Sequence, residues 1–140
     1  MKQILLTLIG LFTLTTLTAQ QVHKTLIKTI NIEDAKLLKV DVDGMIKTAS
    51  WDRENLIRVQ MEITYENASV HVMKYLITKG RYNIKLEKPS LILQPNYTNK
   101  VQINKNGDLL IEKVTYTFFL PDDVELINLN EEQAALAENE

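Results

Sequence analysis

From Ile57 the chain alternates. Ile57, Val59, Met61, Ile63 and Tyr65 fall on one face, and Arg58, Gln60, Glu62 and Thr64 on the other. A period of two built from β-branched and aromatic residues predicts a half-buried strand. Leu38, Val40 and Val42 repeat the pattern against Lys39, Asp41 and Asp43, as do Tyr82, Ile84 and Leu86 against Asn83, Lys85 and Glu87. Leu26, Ile30 and Ile32 alternate less regularly. The last strong run is Val114, Tyr116, Phe118 and Leu120, opposed by Lys113, Thr115 and Thr117, with Phe119 breaking the polar side. Pro121 and the two aspartates after it end this run, because proline has no N–H to give to a ladder. Asn106-Gly107 is a favoured pair for a type I′ hairpin turn. Val101–Lys105 and Asp108–Leu120 are therefore expected to pair as antiparallel strands.

One stretch departs from the strand rhythm. Residues 67–80 read NASVHVMKYLITKG. Asn67 or Ser69 can cap a helix there, and Gly80 suits its exit. Val70, Met73, Leu76 and Ile77 match helical spacing. Strand propensity at Val70, Val72 and Tyr75 is the competing signal. The spacing predicts one inserted helix over about residues 69–79. In the acidic tail, 128–140, Asn130 is placed to cap a short helix that frays or is disordered.

The first twenty residues, MKQILLTLIGLFTLTTLTAQ, change the picture. A basic start, an apolar run from Ile4 to Leu17 and small residues at Thr18 and Ala19 form the layout of a secretory signal peptide. The run is short of the roughly 20 apolar residues that span a bilayer, and no later run reaches that length. The expected organisation is a signal peptide at 1–20, one β-rich domain at 21–127 and the tail. Cleavage removes Lys2 and no acid, taking the formal charge from −2 to −3. There is no cysteine, so neither disulfides nor a lipid-bearing cysteine anchor are available. The basic residues are scattered, which disfavours nucleic acid as a partner. The expected location is periplasmic or secreted, with no membrane span after processing.

Trp51, the only tryptophan, stands in DGMIKTASWDRE between two strand-like runs. A ring at that corner is expected to cover the open end of a sheet, removing about 200 Å² of apolar surface from water. Asp52, Arg53 and Glu54 would form the polar turn outside it. The stretch VDVDGMIKTASWDRENLIRVQMEI resembles the first turn of the exported adhesin-like β-solenoid family of bacterial envelope proteins. The shared features are an alternating strand at Val40–Asp43, Gly44, a short strand around Ile46, Trp51-Asp52 with a polar pair, and the strand Ile57–Ile63. YTFFLPDDVEL, from Tyr116 to Leu126, resembles the strand–Pro–Asp–Val step that leads into that family's next coil. The chain departs from the family in having four glycines and a helical insertion. The resemblance and the irregular strand spacing imply a mainly β fold, a short β-solenoid-like or sandwich-like antiparallel sheet with one inserted helix.

Reactive constellations are sparse. Asp41-Val42-Asp43-Gly44 opens like a calcium loop, but Met45 and Asp52 stand where oxygen ligands and a glutamate are needed. His23 and His71 are unpaired in sequence, no serine sits in a nucleophile elbow, and no glycine-rich phosphate loop occurs. Asp52, Glu54, Asp122 and Asp123 could supply a carboxylate pair for sugar hydrolysis, although turn polarity accounts for them. Asn67-Ala68-Ser69 and Asn96-Tyr97-Thr98 match the glycosylation triplet. Trp51, Tyr82, Tyr97 and Tyr116 could line a groove if they converge, with core packing expected for Tyr82 and Tyr116. No catalytic, cofactor-binding or metal-binding residue is expected. The leading expectation is a non-catalytic exported module making structural or adhesive contact with an envelope protein or polysaccharide. The alternatives are an envelope-polymer hydrolase gathering Asp52, Glu54 or His71 in a cleft, and a periplasmic small-ligand carrier with an enclosed apolar pocket of about 300 Å³ or more.

Overall fold

The computed structural model describes residues 21–88, 90–95, 107 and 109–131. Expectations for the leader, for Val101–Lys105, for Asn96–Thr98 and for most of the tail lie outside these residues. The chain is mainly β. Among the described residues the main elements follow in the order β1 (Gln21–Asn31), β2 (Leu37–Val40), β3 (Met45–Ser50), β4 (Leu56–Glu66), α1 (Val70–Thr78), β5 (Ile84–Glu87), β6 (Ile92–Pro95), β7 (Ile111–Leu120) and β8 (Glu125–Asn128). The strands form two four-stranded sheets, β1-β4-β7-β3 and β5-β6-β2-β8.

The alternation read from the sequence sets the faces. Ile57, Val59, Met61, Ile63 and Tyr65 of β4 are all within 2% of full burial. They join Tyr116, Phe118 and Leu120 of β7 and, from the second sheet, Leu38, Val40, Ile84 and Leu93 in one core. Side chains as large as Phe118 and Ile57 each contribute about 1.5–3 kcal/mol on leaving water. Tyr116 and Phe118 stack within this layer at 6.3 Å between centroids.

The expectation of an antiparallel sheet is corrected. Both sheets are mixed: β1/β4, β4/β7 and β5/β6 are antiparallel, whereas β3/β7, β2/β6 and β2/β8 are parallel. β2 and β3 follow each other closely in the chain yet enter different sheets, so neither can use its neighbour as a hairpin partner. Each instead takes a strand from far downstream, which is how parallel pairs arise. Gly44 permits the step into β3. Its φ is +148°, and a Cβ there would stand 2.4 Å from the Val114 carbonyl oxygen. Beyond Gly44, β3 and β7 stay paired from Met45/Thr115 to Ser50/Leu120.

The inserted helix forms where the spacing predicts it. Ser69, not Asn67, is its N-cap, accepting the Val72 N–H through Oγ at 3.3 Å. Met73 and Leu76 are buried, while Val70, at the N-terminal end, is half exposed. The exit is a Schellman motif around Gly80 at φ +78°, with Gly80 N–H to Ile77 C=O and Arg81 N–H to Leu76 C=O. The tail expectation changes in one detail. Asn128, rather than Asn130, supplies the capping oxygen, taking the Asn130 N–H at 3.1 Å, while Asn130 Nδ2 donates to the Val42 carbonyl.

Candidate functional site

The outward face of the first sheet is a ruled surface of cross-strand rows. One row reads Thr29, Arg58, Phe119, Ala49 across β1, β4, β7 and β3, and the next reads Ile27, Gln60, Thr117, Lys47. Trp51 continues the outward parity of Lys47 and Ala49 just past the end of β3, where its backbone N–H donates to the Leu120 carbonyl at 2.7 Å. The Arg58 guanidinium lies 4.1 Å from the Phe119 ring centroid and 5.4 Å from the Trp51 ring. Such stacking is worth about 0.5–2 kcal/mol, rising with desolvation.

This placement corrects the expectation for Trp51. The ring does not close the apolar end of the sheet, and neither Trp51 nor Phe119 belongs to the core. Parity explains it: an outward strand position stays outward when the strand is extended by two residues. Phe119 is opposite Arg58, so the two rings and the cation meet on the solvent side. Among buried side-chain nitrogens and oxygens of the described residues, only Arg58 Nε lacks a hydrogen-bond partner. Gln60 donates to Glu62 at 3.1 Å farther along the same face. Ile27, Met45 and Ile111 also lie exposed on it.

No family model, curated protein or solved structure matches this chain. The site therefore stands on its geometry.

A second feature lies at the other end of the β4/β7 pair, on its inward side. The Schellman exit delivers Arg81 into the interior, where it is 5% exposed and ion-paired with Glu112, Nη2 to Oε2 at 2.5 Å. Glu112 is on the inward face of β7, opposite Tyr65. Tyr82 donates its hydroxyl proton to the Tyr65 oxygen at 2.7 Å. Burial, then the bond to Tyr65 and the Glu112 carboxylate, hold the Tyr82 hydroxyl far above the ordinary tyrosine range. Burial raises Tyr65 as well, opposed by its bond to Tyr82 and by the Arg81 guanidinium. Arg81 and Glu112 line an open cleft of about 530 Å³ with Asp43, Met45 and Tyr116. The inward carboxylate of Glu112 was missed in the sequence, although extending the parity of Val114 and Tyr116 back by two places an acid on the core face. An acid there calls for a buried base.

The hydrolase acids do not reach His71, although Glu54 and Asp123 share one depression. Asp52 and Glu54 precede β4, and His71 follows it. The eleven residues of β4 separate their ends by about 33 Å at the usual rise per residue. Glu54 shares a shallow depression of about 240 Å³ with Glu33, Asp34, Lys36 and Asp123. Asp123 is ion-paired with Lys36, and Asp122 accepts from Ser50 Oγ. His71 is exposed on α1, and His23 Nδ1 lies 3.2 Å from Thr64 Oγ1 on the outward face. Tyr82 and Tyr116 are core residues, each 5% exposed. Among the described residues no group of three or more histidine, aspartate or glutamate side chains could hold a metal ion. None of their helices is long and apolar enough to cross a membrane.

Proposed function

We propose that this chain is an exported, non-catalytic module that makes structural or adhesive contacts in the cell envelope or outside it, through the outward face of its first sheet. The signal-peptide layout of residues 1–20 supports the address. The observation that carries the contact is the Trp51–Arg58–Phe119 stack, which commits two aromatic rings and a cation to the solvent side of a sheet. Aromatic residues and arginine are the side chains that most often anchor binding surfaces. The parallel pairs β3/β7 and β2/β8, joined by the Pro121 step, support reading the two sheets as a short solenoid-like coil of the kind the adhesin-like resemblance implies.

The test is co-sedimentation of the purified protein with isolated cell envelopes. Binding is expected to fall at least tenfold in a Trp51→Ala/Phe119→Ala variant whose circular dichroism is unchanged. Equal binding by parent and variant would refute the reading, as would recovery of the protein from the cytoplasm with residues 1–20 attached. The cleft beside Arg81 supports a second reading, a small-ligand carrier, by its volume alone, since it is open and lined in part by charged side chains rather than enclosed and apolar. That reading requires a ligand whose affinity falls on Met45→Trp, a substitution that adds bulk to one wall of the cleft without touching Trp51, Arg58 or Phe119.

A further inference from the structure

The geometry points to a carboxylate-bearing polysaccharide as the ligand of the outward face, an inference that rests on the contact reading above and names its substrate class. Arg58 makes no hydrogen bond or ion pair with any described side chain, and its only described partners are the two rings. A guanidinium set against two aromatic rings has lost rotamer freedom in advance, and with Nε buried its terminal N–H groups remain for a planar anion. Carboxylate is the group that fork matches in two parallel hydrogen bonds.

The surroundings fit a sugar chain. Lys47 is exposed on β3, one row down and two strands across from Arg58, with Thr117 and Phe119 of β7 between them. Strand and row spacings put the two Cα atoms about 12 Å apart, a gap that two long cationic side chains can close over β7. Between and beside the cations lie hydroxyls and an amide from Thr29, Thr117 and Gln60, along with the Phe119 and Trp51 rings. This surface offers stacking for the apolar face of a pyranose, donors and acceptors for its hydroxyls, and two positive charges for its acid. Lys47 and Arg58 form no ion pair among the described residues, and Glu62 on the same face accepts from the Gln60 amide rather than from either cation, so both positive charges are left for the ligand. A peptide strand would instead seek a sheet edge, where backbone groups are free.

The test uses affinity electrophoresis and calorimetry with polygalacturonate, alginate and hyaluronan, against methyl-esterified polygalacturonate, neutral dextran and dextran sulfate. The parent is expected to bind at least one carboxylated polymer and to lose at least tenfold on its methyl ester or neutral counterpart. Arg58→Gln and Arg58→Lys should each lower that affinity tenfold or more, and Lys47→Gln about threefold, with unchanged circular dichroism. Lys47→Gln keeps the question answerable if an Arg58 variant fails to fold. Equal binding of ester and acid, equal or tighter binding of dextran sulfate, or no effect of Lys47→Gln and Arg58→Gln would overturn the assignment. If no carboxylated polymer binds while envelope co-sedimentation still depends on Trp51 and Phe119, this inference fails and the contact reading stands. If both are lost, both fail.

Discussion

Glu112→Leu tests the internal charge pair. In the parent, the Arg81 side chain is 5% exposed and the Glu112 side chain 16%, and the two share a short Nη2–Oε2 contact with longer ones from Nε at 3.2 and 3.3 Å. Leucine fills the space but leaves a guanidinium shut away from water without its carboxylate. Stranding one member of a buried ion pair costs about 3–5 kcal/mol. With a urea m-value of roughly 2 kcal/mol/M for a domain of this size, a loss of about 4 kcal/mol lowers the unfolding midpoint by about 2 M. Removing both charges is a different perturbation. Arg81→Met/Glu112→Leu leaves an apolar pair of similar bulk and keeps the Tyr82–Tyr65 hydrogen bond, so its stability should return to within about 1 kcal/mol of the parent. The assay is urea unfolding of the four species, followed by far-ultraviolet circular dichroism and Trp51 fluorescence. If Glu112→Leu costs under 1 kcal/mol, or if the double variant loses the sum of the two single losses, the pair is not the shielded unit described here.

The tyrosine pair gives a pH dependence. Both hydroxyls are raised in the folded state, so their neutral forms are favoured; that stability is complete below the unfolded tyrosine value near 10 and is lost as pH climbs above it. Spectrophotometric titration should show Tyr65 and Tyr82 ionising together with loss of the fold, and a Tyr65→Phe/Tyr82→Phe protein should lose less stability between pH 9 and 11 than the parent. Ser69→Ala removes the cap of α1 and should cost about 1 kcal/mol in urea unfolding, with Ser69→Asp restoring most of it; equal stability of Ser69→Ala and parent would contradict the cap. Gly44→Ala puts a methyl group against the Val114 carbonyl at a strained φ and should cost more than about 2 kcal/mol, measurable as a lowered melting temperature.

The elements with a strict local code were legible. β4 announced itself because every second residue of Ile57–Tyr65 is apolar and the core accepts all five. α1 was readable from both ends, since Ser69 and Gly80 each do a job few other residues can do. The parallel pairs were not legible, because nothing local in Met45–Ser50 states that its partner begins at Thr115. Trp51 and Glu112 were illegible for a different reason. Bulk suggested a ring over the sheet's end and Glu112 drew no reading, but strand parity puts the ring outside and the acid inside. The Phe119 irregularity was the clue to the outward stack, since an aromatic residue on a polar face invites a partner there.

β2 lies between β6 and β8, so the central strand of the second sheet is hydrogen-bonded on one side to residues near 92 and on the other to residues 125–128. Both partners arrive long after β2 itself, and such distant closures make for slow assembly. A nascent chain short of residue 125 holds β2 with one flank bare, and a truncation there should behave as an incompletely folded, protease-sensitive species. Closure of the second sheet is therefore timed by β8, leaving β2 pliable until residues 125–128 have emerged.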